Sequence, residues 1–300
     1  MRKSILFLTF LCLQAGALRA QVTLTERAAA RTDFELVTAD GTAAVCYDAA
    51  DAAVVGTAAG LFAADVARVT GREIPVVDGS ELPAKTRCAV IVGTVGQSRW
   101  IDELAAAKKI DVTPIEGGWE RYTLRLVDRP GHGLRKALVI AGSDRRGTAY
   151  GLLSVSRAIG VNPWYWWADA PVERRNRVTL RVADYTSPTP SVKYRGIFIN
   201  DEDWGLYRWA KENFEKELGN IGPKTYEKVC ELLLRLQANY LAPAMHDATT
   251  AFYKIPENRV IADRYGIAIG SSHCEPLGLN TASEWDSKTM GEWDYVNNRA

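Results

Sequence analysis

The sequence predicts an α/β protein: an N-terminal α/β domain followed by the first part of a (β/α)8 TIM barrel. Three observations lead there. From Phe34 to about Ala183, short apolar runs alternate with helical patterns. The segment Tyr185-Thr186-Ser187-Pro188-Thr189-Pro190-Ser191 is rich in Pro, Ser and Thr, has no periodicity, and reads as a linker. Beyond it the order is β-α-β-α-β, the rhythm of parallel strands with helical crossovers. With 300 residues, 47% of them hydrophobic, the chain can bury two cores.

The first element is not part of either core. Arg2-Lys3, then the short apolar run Ile5 to Leu13, then small residues up to Ala20, form an export signal, so residues 1–20 are assigned to it and Gln21 starts the mature chain. No other segment reads as a membrane span. The N-terminal α/β domain is assigned to 21–186. Within it Ala43 to Tyr47 reads as a strand, and the Ala-rich stretch Val54 to Thr70 has helical spacing with Gly71 as its stop. Ala89 to Val92 is a strand entering Gly93-Thr94-Val95-Gly96, which lacks the full glycine set and the lysine of a nucleotide loop and so reads as a tight turn. Tyr122 to Val127 and Ala137 to Ala141 pair around Arg129-Pro130-Gly131, and Ser143-Asp144 caps a helix to about Ile159.

The barrel part, 187–300, opens with the strand Tyr194 to Ile199. A helix starts at Pro223 and Thr225, with Tyr226, Val229, Cys230, Leu233 and Leu236 on one face. Tyr240 to Met245 is the second strand, Arg259 to Tyr265 a helix, and Ile267 to Gly270 the third strand. A closed barrel needs eight strands and roughly 250 residues. The reading is therefore of an incomplete barrel, inactive as these 300 residues alone.

Composition excludes several classes. A net charge of +1 with acids and bases interspersed offers no track for a phosphate backbone, so no nucleic-acid partner is expected. Five Cys show no paired spacing; Cys46, Cys88 and Cys230 sit in apolar stretches and read as core residues.

In a parallel barrel, chemistry sits where strands end. Here the strands end in Asn200-Asp201-Glu202, His246-Asp247 and Ser271-Ser272-His273-Cys274-Glu275, and two of the three His in the chain lie at these ends. Carboxylates facing a pocket suit glycosidic bond cleavage, one protonating the leaving oxygen and another activating water or attacking. His246, Asp247, His273 and Glu275 are also acceptable metal ligands, which makes a metal-dependent barrel hydrolase an alternative reading; the first strand lacks the His pair usual in barrel metallohydrolases, so no metal or other cofactor is expected. A non-catalytic carbohydrate-binding fragment is the competing class. The aromatic run Trp164-Tyr165-Trp166-Trp167 is assigned both to an interdomain core and to a sugar site, with Trp164 as the candidate substrate-binding ring.

Three stretches carry a family resemblance: GSDRRGTAYGLLSVSRAIGVNPWYWWADAPV (Gly142 to Val172), KYRGIFINDEDWGL (Lys193 to Leu206) and YGIAIGSSHCEPL (Tyr265 to Leu277). In this order they resemble glycoside hydrolase family 115, the xylan α-1,2-glucuronidases, over roughly Phe34 to Ala300. The resemblance implies removal, with inversion, of glucuronic acid or its 4-O-methyl ether from glucuronoxylan or decorated xylo-oligosaccharides by a homodimer, which the signal at residues 1–20 would export to the periplasm or the medium. It implies Asp201 as catalytic, with Asn200, His273 and Glu275 binding substrate. Cys274 departs from the usual pattern, where a second His is common, and the family's later-strand glutamate has no counterpart before Ala300.

Overall fold

The computed structural model describes residues 22–25, 30, 32–79, 81–200, 203–271 and 278–298. In chain order the first part contains β1 (Val22–Leu24), β2 (Asp33–Val37), β3 (Ala44–Cys46), α1 (Ala53–Thr70), β4 (Val76–Val77), β5 (Cys88–Thr94), α2 (Arg99–Ala106), β6 (Tyr122–Gly131), β7 (Leu134–Gly142), α3 (Arg145–Ala158), β8 (Val178–Val182) and β9 (Tyr185–Thr186). The second part contains β10 (Gly196–Phe198), α4 (Leu206–Trp209), α5 (Pro223–Arg235), β11 (Tyr240–Ala242), α6 (Pro256–Arg264) and β12 (Ala268–Ile269).

A six-stranded sheet in the order β4-β3-β5-β7-β6-β9 is parallel through β7 and antiparallel beyond it. Its central strand β5 is buried along its whole length, as a strand covered on both faces must be. Helices α1 and α3 cover one face, and α2 with Ile110, Val112 and Ile115 covers the other. Helix α1 has the length and apolarity of a membrane-crossing helix, yet Val54, Val55, Ala58, Ala59, Phe62 and Val66 are buried in this core. It ends where the sequence predicts, at Gly71 with φ 72°, a conformation that glycine adopts without strain. Asp144 caps α3 by accepting from the backbone N–H groups of Arg146 and Gly147.

Two expectations change. The turn expected at Arg129-Pro130-Gly131 is instead a register shift inside β6, and the hairpin turns at His132-Gly133. Left-handed Arg129 and His132 (φ 50° and 51°) absorb the extra residues. The expected linker also begins as structure. Tyr185–Thr186 pairs with β6, and Ser187 is buried, accepting through Oγ from the Tyr122 N–H (2.8 Å). A third sheet, antiparallel β1-β8-β2, was not anticipated; it forms because distant segments meet.

The second part is a parallel sheet in the order β10-β11-β12, with α5 and α6 as crossovers, the arrangement of successive units of a (β/α)8 barrel. Gly196 is obligatory, since a Cβ there would lie 1.7 Å from the carbonyl oxygen of Tyr240. Of the run Gly196–Ile199 only Ile199 is buried. Ile197 and Phe198 remain 43% and 45% exposed, because β10 pairs on one side alone among the described residues.

Apolar residues of both parts form one contiguous core: Tyr226, Val229, Cys230 and Leu233 join the cluster that contains Val54, Phe62 and Tyr150. Buried charges bridge the same junction. Arg235 of α5 is bidentate on Asp65 of α1 (2.7 and 3.0 Å) and also donates to Glu231 (2.9 Å). The buried carboxylate of Glu120 receives Arg195 and Asn239, each at 2.5 Å, while Arg146 reaches it at 3.5 Å and donates to the Gly266 carbonyl at 2.6 Å.

Candidate active site

Parallel registry sets the geometry. Gly196 lies beside Tyr240 and Tyr240 beside Ala268, so β10, β11 and β12 end at one edge of the sheet. Ile199 continues the ladder by donating to the Ala242 carbonyl (2.9 Å), which leaves Asn200, exposed, as the first residue past the strand. Pro243 has no N–H and stops β11, releasing the chain towards His246. Asn200, His246-Asp247 and Ser271 thus gather at the carboxyl ends of the strands. Asp201, His273 and Glu275 lie outside the described residues.

At the second strand end, His246 and Asp247 are both exposed. Nδ1 of His246 accepts from the Ala248 N–H (3.1 Å), so a neutral ring carries its proton on Nε2. The His246 carbonyl accepts from the Thr249 N–H and hydroxyl, each at 2.8 Å. At the third end, buried Asn280 donates to the Met245 carbonyl (2.8 Å) and is braced by Glu284, whose carboxylate accepts from its N–H (2.8 Å). Among the described residues, no group of three His, Cys, Asp or Glu is placed to hold a metal ion.

The loop after β10 is the longest of these and is tied at three points. Buried Glu215 accepts from the N–H groups of Gly222 (2.9 Å), Lys224 (3.0 Å) and Thr225 (2.8 Å) and from the Thr225 hydroxyl (2.5 Å), so it caps α5 from outside the helix. Asn220 exchanges hydrogen bonds with Thr250 of the next loop (3.1 and 3.2 Å). Trp209 and Phe214 stack on each other and pack against Trp166, while Trp209 also meets Trp167.

Of the predicted aromatic run, Tyr165, Trp166 and Trp167 make the junction, and Trp164 is 44% exposed, with its backbone N–H donating to Oδ1 of Asn162. The Tyr165 hydroxyl donates to Glu231 (2.8 Å), and burial next to that carboxylate pushes its pKa up to about 12. Burial opposes the charge on Glu231, but Arg235 and Lys228 beside it hold its carboxyl below the ordinary value. Asn220, Thr250, Asn280 and Glu215 escape a sequence reading, since single polar residues in loops carry no pattern.

The family model for glycosyl hydrolase family 115 matches residues 187–300, the stretch that holds all three strand ends. A solved structure described as "A novel family GH115 4-O-Methyl-alpha-glucuronidase, BtGH115A, with specificity for decorated arabinogalactans" is 39% identical, with a TM-score of 0.75, over 89% of this chain and 33% of that one. The chain therefore spans about a third of the length of that relative. The Flavobacterium johnsoniae chitobiase FjGH20 (12% identity, TM-score 0.47, 83% of this chain and 33% of that one) is too distant to bear on the argument. A comparison with curated proteins returned no match. With the family match lying on the strand ends and a relative 39% identical along both parts of the fold, the chain is similar to glycosyl hydrolase family 115 over these stretches.

Proposed function

We propose that the protein is a glycoside hydrolase that removes glucuronic acid or its 4-O-methyl ether from a decorated plant glycan. The observation that carries this reading is the coincidence of the family match with the loops bearing Asn200 and His246, the residues gathered at the carboxyl edge of the parallel sheet. Asp201 acts as the catalytic carboxylate, Asn200, His273, Glu275 and Trp164 bind substrate, and the reaction inverts configuration by acid and base carboxylates. The enzyme is exported and works as a homodimer. Glucuronoxylan and decorated xylo-oligosaccharides are the first substrate class. The 39% identical relative, described as specific for decorated arabinogalactans, favours those as a second.

The test measures uronic acid released from glucuronoxylo-oligosaccharides and from arabinogalactan side chains by the protein expressed from its whole gene, with arabinose release as the control. Uronic acid release well above arabinose release supports the reading, and the preferred glycan decides between the two classes. Equal rates of the two releases would refute it.

A further inference from the structure

We propose that Trp166, contributed by the first part of the fold, is a positioning residue for the strand-end face of the second. The segment it touches has little reason to hold its shape alone. Helix α4 is four residues long, and Ala210–Phe214 continues it as a π-helical turn, closed by the Glu215 N–H donating to the Ala210 carbonyl (2.7 Å). Helices this short are unstable in isolation, and π turns are rare and kept by tertiary packing. That packing is aromatic. The Trp166 ring meets Trp209 edge-on (centroids 5.8 Å, 88°) and Phe214 (5.1 Å, 64°) while Trp167 backs it (4.8 Å, 83°). The Lys228 ammonium lies 5.4 Å from the Trp166 ring centroid, and its carbonyl accepts from the Trp167 indole (3.1 Å), so the cluster is fastened to α5 as well.

From there the contacts continue across the strand ends. The loop after β10 reaches the loop after β11 through Asn220 and Thr250. Neighbouring Thr249 holds the His246 carbonyl, and Met245 receives Asn280 from the segment after β12. Trp166 is thus the fixed end of a chain of contacts that runs through all three strand-end loops.

The test uses the protein expressed from its whole gene and the variants Trp166→Ala, Trp166→Leu and Trp166→Phe. Amide hydrogen exchange is read at 206–214, at Thr249 and Thr250, and at Ile91 and Leu138 in the sheet core. Trp166→Ala should speed exchange at least tenfold at the first two places and leave Ile91 and Leu138 unchanged, and Trp166→Phe should return it to within about threefold of the parent. Unchanged exchange at 206–214 and at 249–250 would overturn the proposal. So would a uniform rise that includes Ile91 and Leu138, which marks an ordinary core residue. Should the alanine variant not fold, Trp166→Leu, which keeps apolar bulk without the ring, is held to the same criteria.

The kinetic arm alone rests on the proposed glucuronidase activity. Misplacement of reacting groups lowers kcat, so a fall of about tenfold with KM within twofold is expected. A raised KM with kcat unchanged counts against positioning. Absence of turnover in the unaltered protein would sink the glucuronidase reading and leave the exchange result standing, because exchange requires no substrate.

Discussion

Asp201 carries the sharpest residue-scale expectation, because it directly follows Asn200 at the end of β10. Asp201→Asn in the protein expressed from its whole gene should lower turnover by about a hundredfold or more, the usual cost of losing acid or base assistance. Steady-state kinetics checks this, and a change of only a few-fold removes Asp201 from the chemistry. The cysteines carry a second expectation. Cys46 and Cys230 are free and fully buried, and desolvation pushes both thiols up to about 12. The thiolate is the reactive form, so neither should alkylate in native protein at neutral pH, and both should after denaturation. Mass spectrometry after iodoacetamide treatment reads the difference; native labelling of either would contradict this packing.

At the scale of one element, α5 shows how a helix begins without its own cap. Pro223 at the start has no N–H and so needs no acceptor, and Gly222 at the cap position has no side chain to accept from the N–H groups that follow. Glu215, seven residues earlier in the chain, supplies the acceptor instead. Glu215→Ala would leave buried N–H groups of Gly222 and Thr225 without their partner, at a cost of about 2–4 kcal/mol. Glu215→Gln, which keeps one acceptor oxygen, should lose less. Denaturant unfolding of the two variants checks the order; equal losses would show that the carboxylate acts by charge rather than by its hydrogen bonds.

Across the whole molecule, the junction predicts how the chain responds to a nick. Residues 191–194 are exposed, whereas Ser187 is buried, so trypsin should cut first after Lys193. The pieces should still migrate together at neutral pH, held by the shared core and by Asp65, Arg235, Glu231 and Tyr165. Acid should part them. Glu231 titrates below its ordinary 4.5 in the fold, so its contribution is complete above that pH and is lost as pH falls through the lower folded value. Size exclusion of nicked protein over a descending pH series tests this. Separation at neutral pH would show that the junction is weaker than its buried contacts imply.

Local pattern was enough for several features. The 3.6-residue periodicity of α1 and α5, the glycine after Thr70, the Asp144 cap and the three short apolar runs of the parallel sheet are properties of neighbouring residues, and neighbours are visible in a sequence. The gathering of Asn200 and His246 at one edge was legible for the same reason, since parallel strands joined by helices must end together. Other features depended on residues far apart in the chain. Val178 and Leu180 find Phe34 and Val37 across more than a hundred residues to make the antiparallel sheet, and Arg235 finds Asp65. Tyr185–Thr186 looked like a linker because its composition is that of a loop, and only the free edge of β6 made it a strand. The aromatic run likewise announced burial through its bulk and hydrophobicity, but the division of labour within it was set by position in space. Trp166 and Trp167 meet Trp209 and Phe214 while Trp164 stays half exposed, because ring contacts are decided by which surfaces the folded chain brings within reach.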